Sequence, residues 1–99
     1  MATLTRAGIA ERLGVRLGLS RRESAALVDA LVEEMARAFE QGDEVKVPGF
    51  GSFHVRDKAA RLGRNPATGD RLLLARRRVL TFKPSPLLRA RLNADQELG

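Results

Sequence analysis

Over the twenty residues from Arg56 to Ala75 the chain offers almost nothing that a core could bury. The segment is basic and polar, with Leu72, Leu73 and Leu74 as its exception, and a dense turn cluster, Gly63-Arg64-Asn65-Pro66-Ala67-Thr68-Gly69, lies in its middle. Such a stretch is too long and too polar to fold back on a small body. It predicts two extended strands that pair with each other and reach outward. A two-stranded ribbon alone is marginal in water, so the arm is expected to settle on a surface. The remainder of a 99-residue chain then has little core of its own, and oligomerisation is the expected source of further buried area.

Charge says what that surface is. Residues 54–84 hold nine Lys/Arg (Arg56, Lys58, Arg61, Arg64, Arg71, Arg76, Arg77, Arg78, Lys83) against Asp57 and Asp70. Residues 1–53 carry one more acid than base, and residues 85–99 balance, so the arm region, at +7, holds the whole basic excess behind the net charge of +6. A basic block with so few local acids points to a polyanion, nucleic acid before membrane. A membrane binder would need a basic amphipathic helix, and neither long helical stretch is notably basic. Nothing apolar is long enough to span a bilayer, and the N-terminal residues lack the apolar run of a signal peptide. The expectation is a soluble, cytoplasmic protein with no membrane partner.

The flanking segments read as α-α-β-β-β-α. Thr5 is placed to cap a helix carrying Ile9, Leu13 and Leu17, with Gly18 at its C-terminal side. Ser20 with Glu23 three residues on reads as a capping box. Leu27, Val28, Leu31, Val32, Met35 and Phe39 follow at helical spacing, and Gly42 ends the run. Val45 and Val47 alternate with Glu44 and Lys46 in a short strand. After the Pro48-Gly49 turn, Phe53 and Val55 alternate in a second. A third covers Arg76 to Phe82, which places Arg76 and Arg78 on one face and Arg77 on the other. Ser85-Pro86 opens a short last helix with Leu87, Leu88 and Leu92, followed by a frayed tail from Asn93. The fold class is α+β, a single domain over 1–99. A helical hairpin base (1–42) leads to a three-stranded antiparallel sheet with a long β-ribbon arm (43–83), then a short C-terminal helix and tail (84–99).

Catalysis finds little support. His54 is the sole His and there is no Cys. No zinc set, His-based triad or phosphate-binding loop is visible, and neither cofactor, metal nor small-molecule substrate is expected. Four Phe with neither Tyr nor Trp weigh against stacking on single strands or RNA.

Several spaced motifs then fall in a familiar order. Gly49-Phe50-Gly51-Ser52-Phe53, Arg56-Asp57-Lys58 and Arg61-Leu62-Gly63-Arg64-Asn65-Pro66-Ala67-Thr68-Gly69 resemble the signature of the bacterial HU and integration host factor DNA-bending proteins. Leu4-Thr5-Arg6-Ala7, Leu17-Gly18-Leu19-Ser20 and Thr81-Phe82-Lys83-Pro84 extend the likeness over nearly the whole chain. Arg56-Asp57-Lys58, Ala75-Arg76-Arg77 and the C-terminal residues resemble the alpha subunits of integration host factor more than HU. Leu62 departs from the Pro or Thr common beside the arm tip, and Pro86 departs in the helix-opening region.

The resemblance implies an intertwined dimer, with a homologous beta subunit or with itself. It also implies two arms in the minor groove of double-stranded DNA and a wedging proline at each tip. Recombination, replication and transcription control on the bacterial nucleoid are the roles it carries. An HU-like homodimer with little sequence preference is the alternative. Pro66 is the expected intercalating residue. It is rigid and has no N–H to leave unsatisfied in a base step, although Asn-Pro also marks ordinary turns. Lys58, Arg61 and Arg64 are expected groove contacts beside it. Asn65 either bonds the groove floor or shapes the turn. Arg56 is an expected DNA contact; Arg76, Arg77 and Arg78 cannot all reach one groove, so some are expected on backbone phosphates or in solvent. Lys83 and Lys46 are phosphate-clamp candidates, although Lys46 is equally a solvated strand residue. Gly49 and Gly51 serve tight turns or close backbone approach, and Phe50, Phe53 and Phe82 are core or dimer residues.

Overall fold

The computed structural model describes residues 2–94; of the tail expected from Asn93, Asn93 instead caps the last helix, and residues 95–99 lie outside the described residues. The chain divides into two units, Met1–Ala38 and Phe39–Gly99. In the first, α1 (Arg6–Leu17) and the greater part of α2 (Arg21–Glu40) form the helical hairpin. Local chemistry sets each boundary. Thr5 caps α1, its hydroxyl accepting from the Gly8 N–H at 3.2 Å. Gly18 closes the helix at φ 69°, a conformation that costs a Cβ-bearing residue energy. The capping box is complete. The Glu23 N–H donates to Ser20 Oγ at 3.1 Å, and the Ser20 N–H donates to the Glu23 carboxylate at 3.0 Å.

Those bonds from Ser20 hold the Glu23 carboxyl below its usual range. The capping contribution is therefore present above the ordinary carboxyl pKa and is lost as pH falls through the lowered one. Ser20→Ala should remove about 1 kcal/mol of stability, read as a lower denaturation midpoint at neutral pH. Where the helices meet, they approach closely: a Cβ on Gly14 would lie 2.7 Å from Ser24 Oγ. Ser24 is buried and donates to the Ser20 carbonyl at 2.9 Å.

The second unit holds two sheets. β1 (Val45–Val47), β2 (Gly51–Lys58) and β5 (Arg77–Pro84) form an antiparallel sheet in the order β1-β2-β5, while β3 (Arg61–Arg64) and β4 (Arg71–Leu74) form a separate two-stranded ribbon. The arm is thus the expected hairpin, but it is interrupted. Three expected strands become five because pairing lapses at Ala59-Ala60 on one side and Ala75-Arg76 on the other. Alanine gives a sheet little cross-strand packing to hold it together. The last sheet strand runs Arg77–Pro84 rather than Arg76–Phe82.

Register sorts the sheet into two faces. Phe53 pairs with Phe82, Val55 with Leu80 and Asp57 with Arg78, and these share one face with Val45 and Val47. That face carries an aromatic cluster: Phe53 lies 4.7 Å from Phe82 and 5.8 Å from Phe39, and Phe50 lies 5.4 Å from Phe82, ring centre to ring centre. Expected as core or dimer residues, the phenylalanines pack on one another, yet Phe50 and Phe82 stay exposed in the single chain. Gly49, at φ 81°, makes the turn into β2. Ser85 caps α3 (Pro86–Leu92), its hydroxyl accepting from the Leu88 N–H at 3.1 Å with Pro86 in the first turn.

Little of this apolar surface is covered by the chain itself. Only Ala10 and Val28 are buried hydrophobic side chains among the described residues. Leu27, Leu31 and Val32 on α2, and Phe50, Leu80, Phe82 and Leu87 in the sheet unit, remain exposed.

Candidate nucleic-acid interface

The opposite face of the three-stranded sheet is cationic. Ser52 pairs with Lys83, His54 with Thr81, Arg56 with Val79 and Lys58 with Arg77, while Lys46 of β1 pairs with Ser52. Lys46, Arg56, Lys58, Arg77 and Lys83 therefore stand on one surface, contributed by all three strands. Lys46 keeps a loose ion pair with Glu44 at 3.9 Å.

The three consecutive arginines have three different placements. Arg77 belongs to the cationic face. Arg78 is on the aromatic face, where its Nε donates to Asp57 at 2.9 Å and its guanidinium also donates to the Glu40 carbonyl. Arg76 lies in the break between β4 and β5. Arg76 and Arg78 thus do not share a strand face as expected, because the strand starts one residue later. Arg78 serves to tie the arm root to the end of α2.

The ribbon carries the tip. Arg61 pairs with Leu74, Leu62 with Leu73, Gly63 with Leu72 and Arg64 with Arg71. Arg71, absent from the expected contacts, stands directly across from Arg64. Between them the turn is closed by the Asn65 N–H donating to the Asp70 carbonyl at 2.8 Å and the Gly69 N–H donating to the Asn65 carbonyl at 2.7 Å. Asn65 Oδ1 accepts from the Ala67 N–H at 2.9 Å, which gives this side chain the turn-shaping role of the two considered. Pro66 sits in that turn, exposed. Leu62 and Leu73 are exposed as a cross-strand pair, while Leu74 is partly buried.

Register also reveals a group that sequence spacing leaves scattered. His54 Nε2 lies 3.0 Å from Ser52 Oγ, and its Nδ1 lies 3.7 Å from the Glu44 carboxylate. Serine, histidine and acid in a row invite comparison with a hydrolytic triad. The acid is too far for the orienting hydrogen bond that a general base needs. Among the described residues no cluster of His, Cys, Asp and Glu could hold a metal, and no helix is long and apolar enough to cross a membrane.

An antiparallel sheet with a cationic face, continued by a basic ribbon that ends in an exposed proline, defines a β-arm protein that lies against a polyanion. The chain belongs to the bacterial DNA-binding protein family, whose model matches residues 4–93. It is 50% identical over 94 residues to integration host factor subunit alpha of Pseudomonas aeruginosa, covering 95% of this chain and 94% of that one. It is likewise 50% identical to the same subunit from Rhodospirillum rubrum, covering 92% of this chain and 87% of that one. Among solved structures, the Anabaena HU–DNA cocrystal structure superposes with a TM-score of 0.76 at 28% identity, covering 89% of this chain and 96% of that one. An HU variant from Thermotoga maritima shares the fold at 20% identity, with a TM-score of 0.64.

Proposed function

We propose that this chain is a non-enzymatic architectural protein that binds double-stranded DNA and bends it with its β-arm. The observation that carries the reading is the register: five cations from three strands on one sheet face, continued by Arg61, Arg64 and Arg71 on the ribbon. Phosphate contacts of this kind supply most of the affinity and little sequence discrimination. Arg76, beside the arm root, extends the same track. Pro66 is the wedge. Unstacking one base step costs a few kcal/mol, offset by the additional phosphate contacts that a bent duplex permits.

The exposed apolar faces of α2 and the sheet unit favour a dimer, since a chain with so small a core gains stability by burying them against a partner. The relatives at 50% identity are alpha subunits, which favours a homologous beta subunit as that partner over an HU-like homodimer. Residues 1–42 would then supply the dimer base, 43–83 the sheet and arm, and 84–99 the last helix and tail, all within one DNA-binding domain. The cellular setting that follows is the bacterial nucleoid, with roles in recombination, replication and transcription control.

The wedge is tested by fluorescence transfer between the ends of a short duplex, comparing the native chain with Pro66→Ala. Binding should be retained and end-to-end approach reduced. Unchanged bending would remove Pro66 from the mechanism.

A further inference from the structure

We propose that His54 is a proton-dependent DNA contact at the centre of the cationic sheet face, with Glu44 as its counter-charge in the free protein. The inference rests on the architectural reading above and adds to it a residue and a linkage. His54 is directly paired with Thr81 of β5, so its side chain shares a face with Lys46, Arg56 and Lys83. The groups that bear on the ring are Glu44 at 3.7 Å and Ser52 at 3.0 Å, with Lys46 from β1, Arg56 from its own strand and Lys83 from β5 on the same surface. Thr81 is engaged elsewhere, its hydroxyl donating to the His54 carbonyl at 3.4 Å. The ring is partly exposed, so it can be approached from that face.

Glu44 is the anomaly here. It holds one negative charge beside a surface that must accept phosphates, and Lys46 offsets it only loosely at 3.9 Å. A neutral imidazole does nothing to that charge. An imidazolium cancels it, and its ring N–H can turn to an arriving phosphate oxygen as a charge-assisted donor. Phosphates favour the charged ring, so binding DNA takes up a proton. The sign follows: the added affinity is present where the ring carries its proton and is lost as rising pH removes it. His54 is the single His in the chain, so His54→Gln removes the imidazole altogether.

Anisotropy titrations of one labelled duplex at fixed salt, at about pH 5.5 and about pH 8, test this on the native chain, His54→Gln and Glu44→Gln. The native chain should bind about three- to tenfold more tightly at the acid end, with a salt slope steeper by about 0.9. His54→Gln should bind at both pH values with that ratio close to one. Glu44→Gln should bind more tightly than native at the alkaline end, because the repulsion is gone whatever the ring's charge. If the native chain binds but His54→Gln keeps the native pH ratio, the proposal is overturned and the architectural reading stands. If the native chain binds no duplex at any pH, both fall.

Discussion

Raising salt from about 50 to about 200 mM should weaken duplex binding by about a thousandfold or more. The figure comes from counting cations by face. Lys46, Arg56, Lys58, Arg77 and Lys83 lie on one sheet surface, and Arg61, Arg64 and Arg71 on the ribbon beyond it. Six phosphates neutralised by such a set would give a log–log slope of about −5, from about −0.9 each. A second arm in a dimer would steepen it.

Register sharpens this into a comparison of neighbours. Arg77→Ala should flatten the slope by about 0.9, as loss of one phosphate contact does. Arg78→Ala should leave it unchanged, because Arg78 is spent on Asp57 and the Glu40 carbonyl on the other face. Equal effects from the two substitutions would mean that the face assignment is wrong. A slope near zero for the native chain would remove the electrostatic basis of binding altogether.

That comparison also marks where sequence reading reached its limit. Signals that act within four residues were legible. Thr5, Gly18, the Ser20–Glu23 box and Ser85-Pro86 each sit where their local chemistry demands. The arm was legible as well, because a basic segment without core residues has few other fates. Face assignment was not, since a side-chain period of two inverts every residue when a strand shifts by one. Alternation did set Arg77 and Arg78 on opposite faces, but the pairing lapse at Ala59-Ala60 and Ala75-Arg76 took Arg76 out of β5, and only pairing with β2 shows that the face of Arg77 is the cationic one. Arg71 was counted as charge but overlooked as a contact, because only the closed turn sets it across from Arg64. His54, Ser52 and Glu44 come together through strand pairing alone.

Gly51→Ala should cost about 3 kcal/mol, the upper end of what overpacking a well-filled site costs, although it adds a single methyl group. Gly51 is the one buried residue of β2. A Cβ built there would lie 2.6 Å from the Lys83 carbonyl oxygen and 2.6 Å from two carbons of the Phe82 ring. Neither neighbour can yield cheaply. The carbonyl belongs to β5, which pairs with β2 from Gly51–Pro84 to Lys58–Arg77, so moving it opens the ladder from its root. The ring lies between Phe50 and Phe53, so turning it disturbs the aromatic cluster. For a domain of this size the loss should lower the melting temperature by roughly 12–24 °C, measured at fixed protein concentration because the proposed dimerisation would couple to it. The consequence reaches DNA binding through geometry rather than charge. Separating β2 from β5 parts Ser52 from Lys83 and Arg56 from Val79, and with them the single surface on which Lys46, Arg56 and Lys83 stand. A melting temperature within a few degrees of native would show that the β2–β5 approach at Gly51 is looser than these distances require.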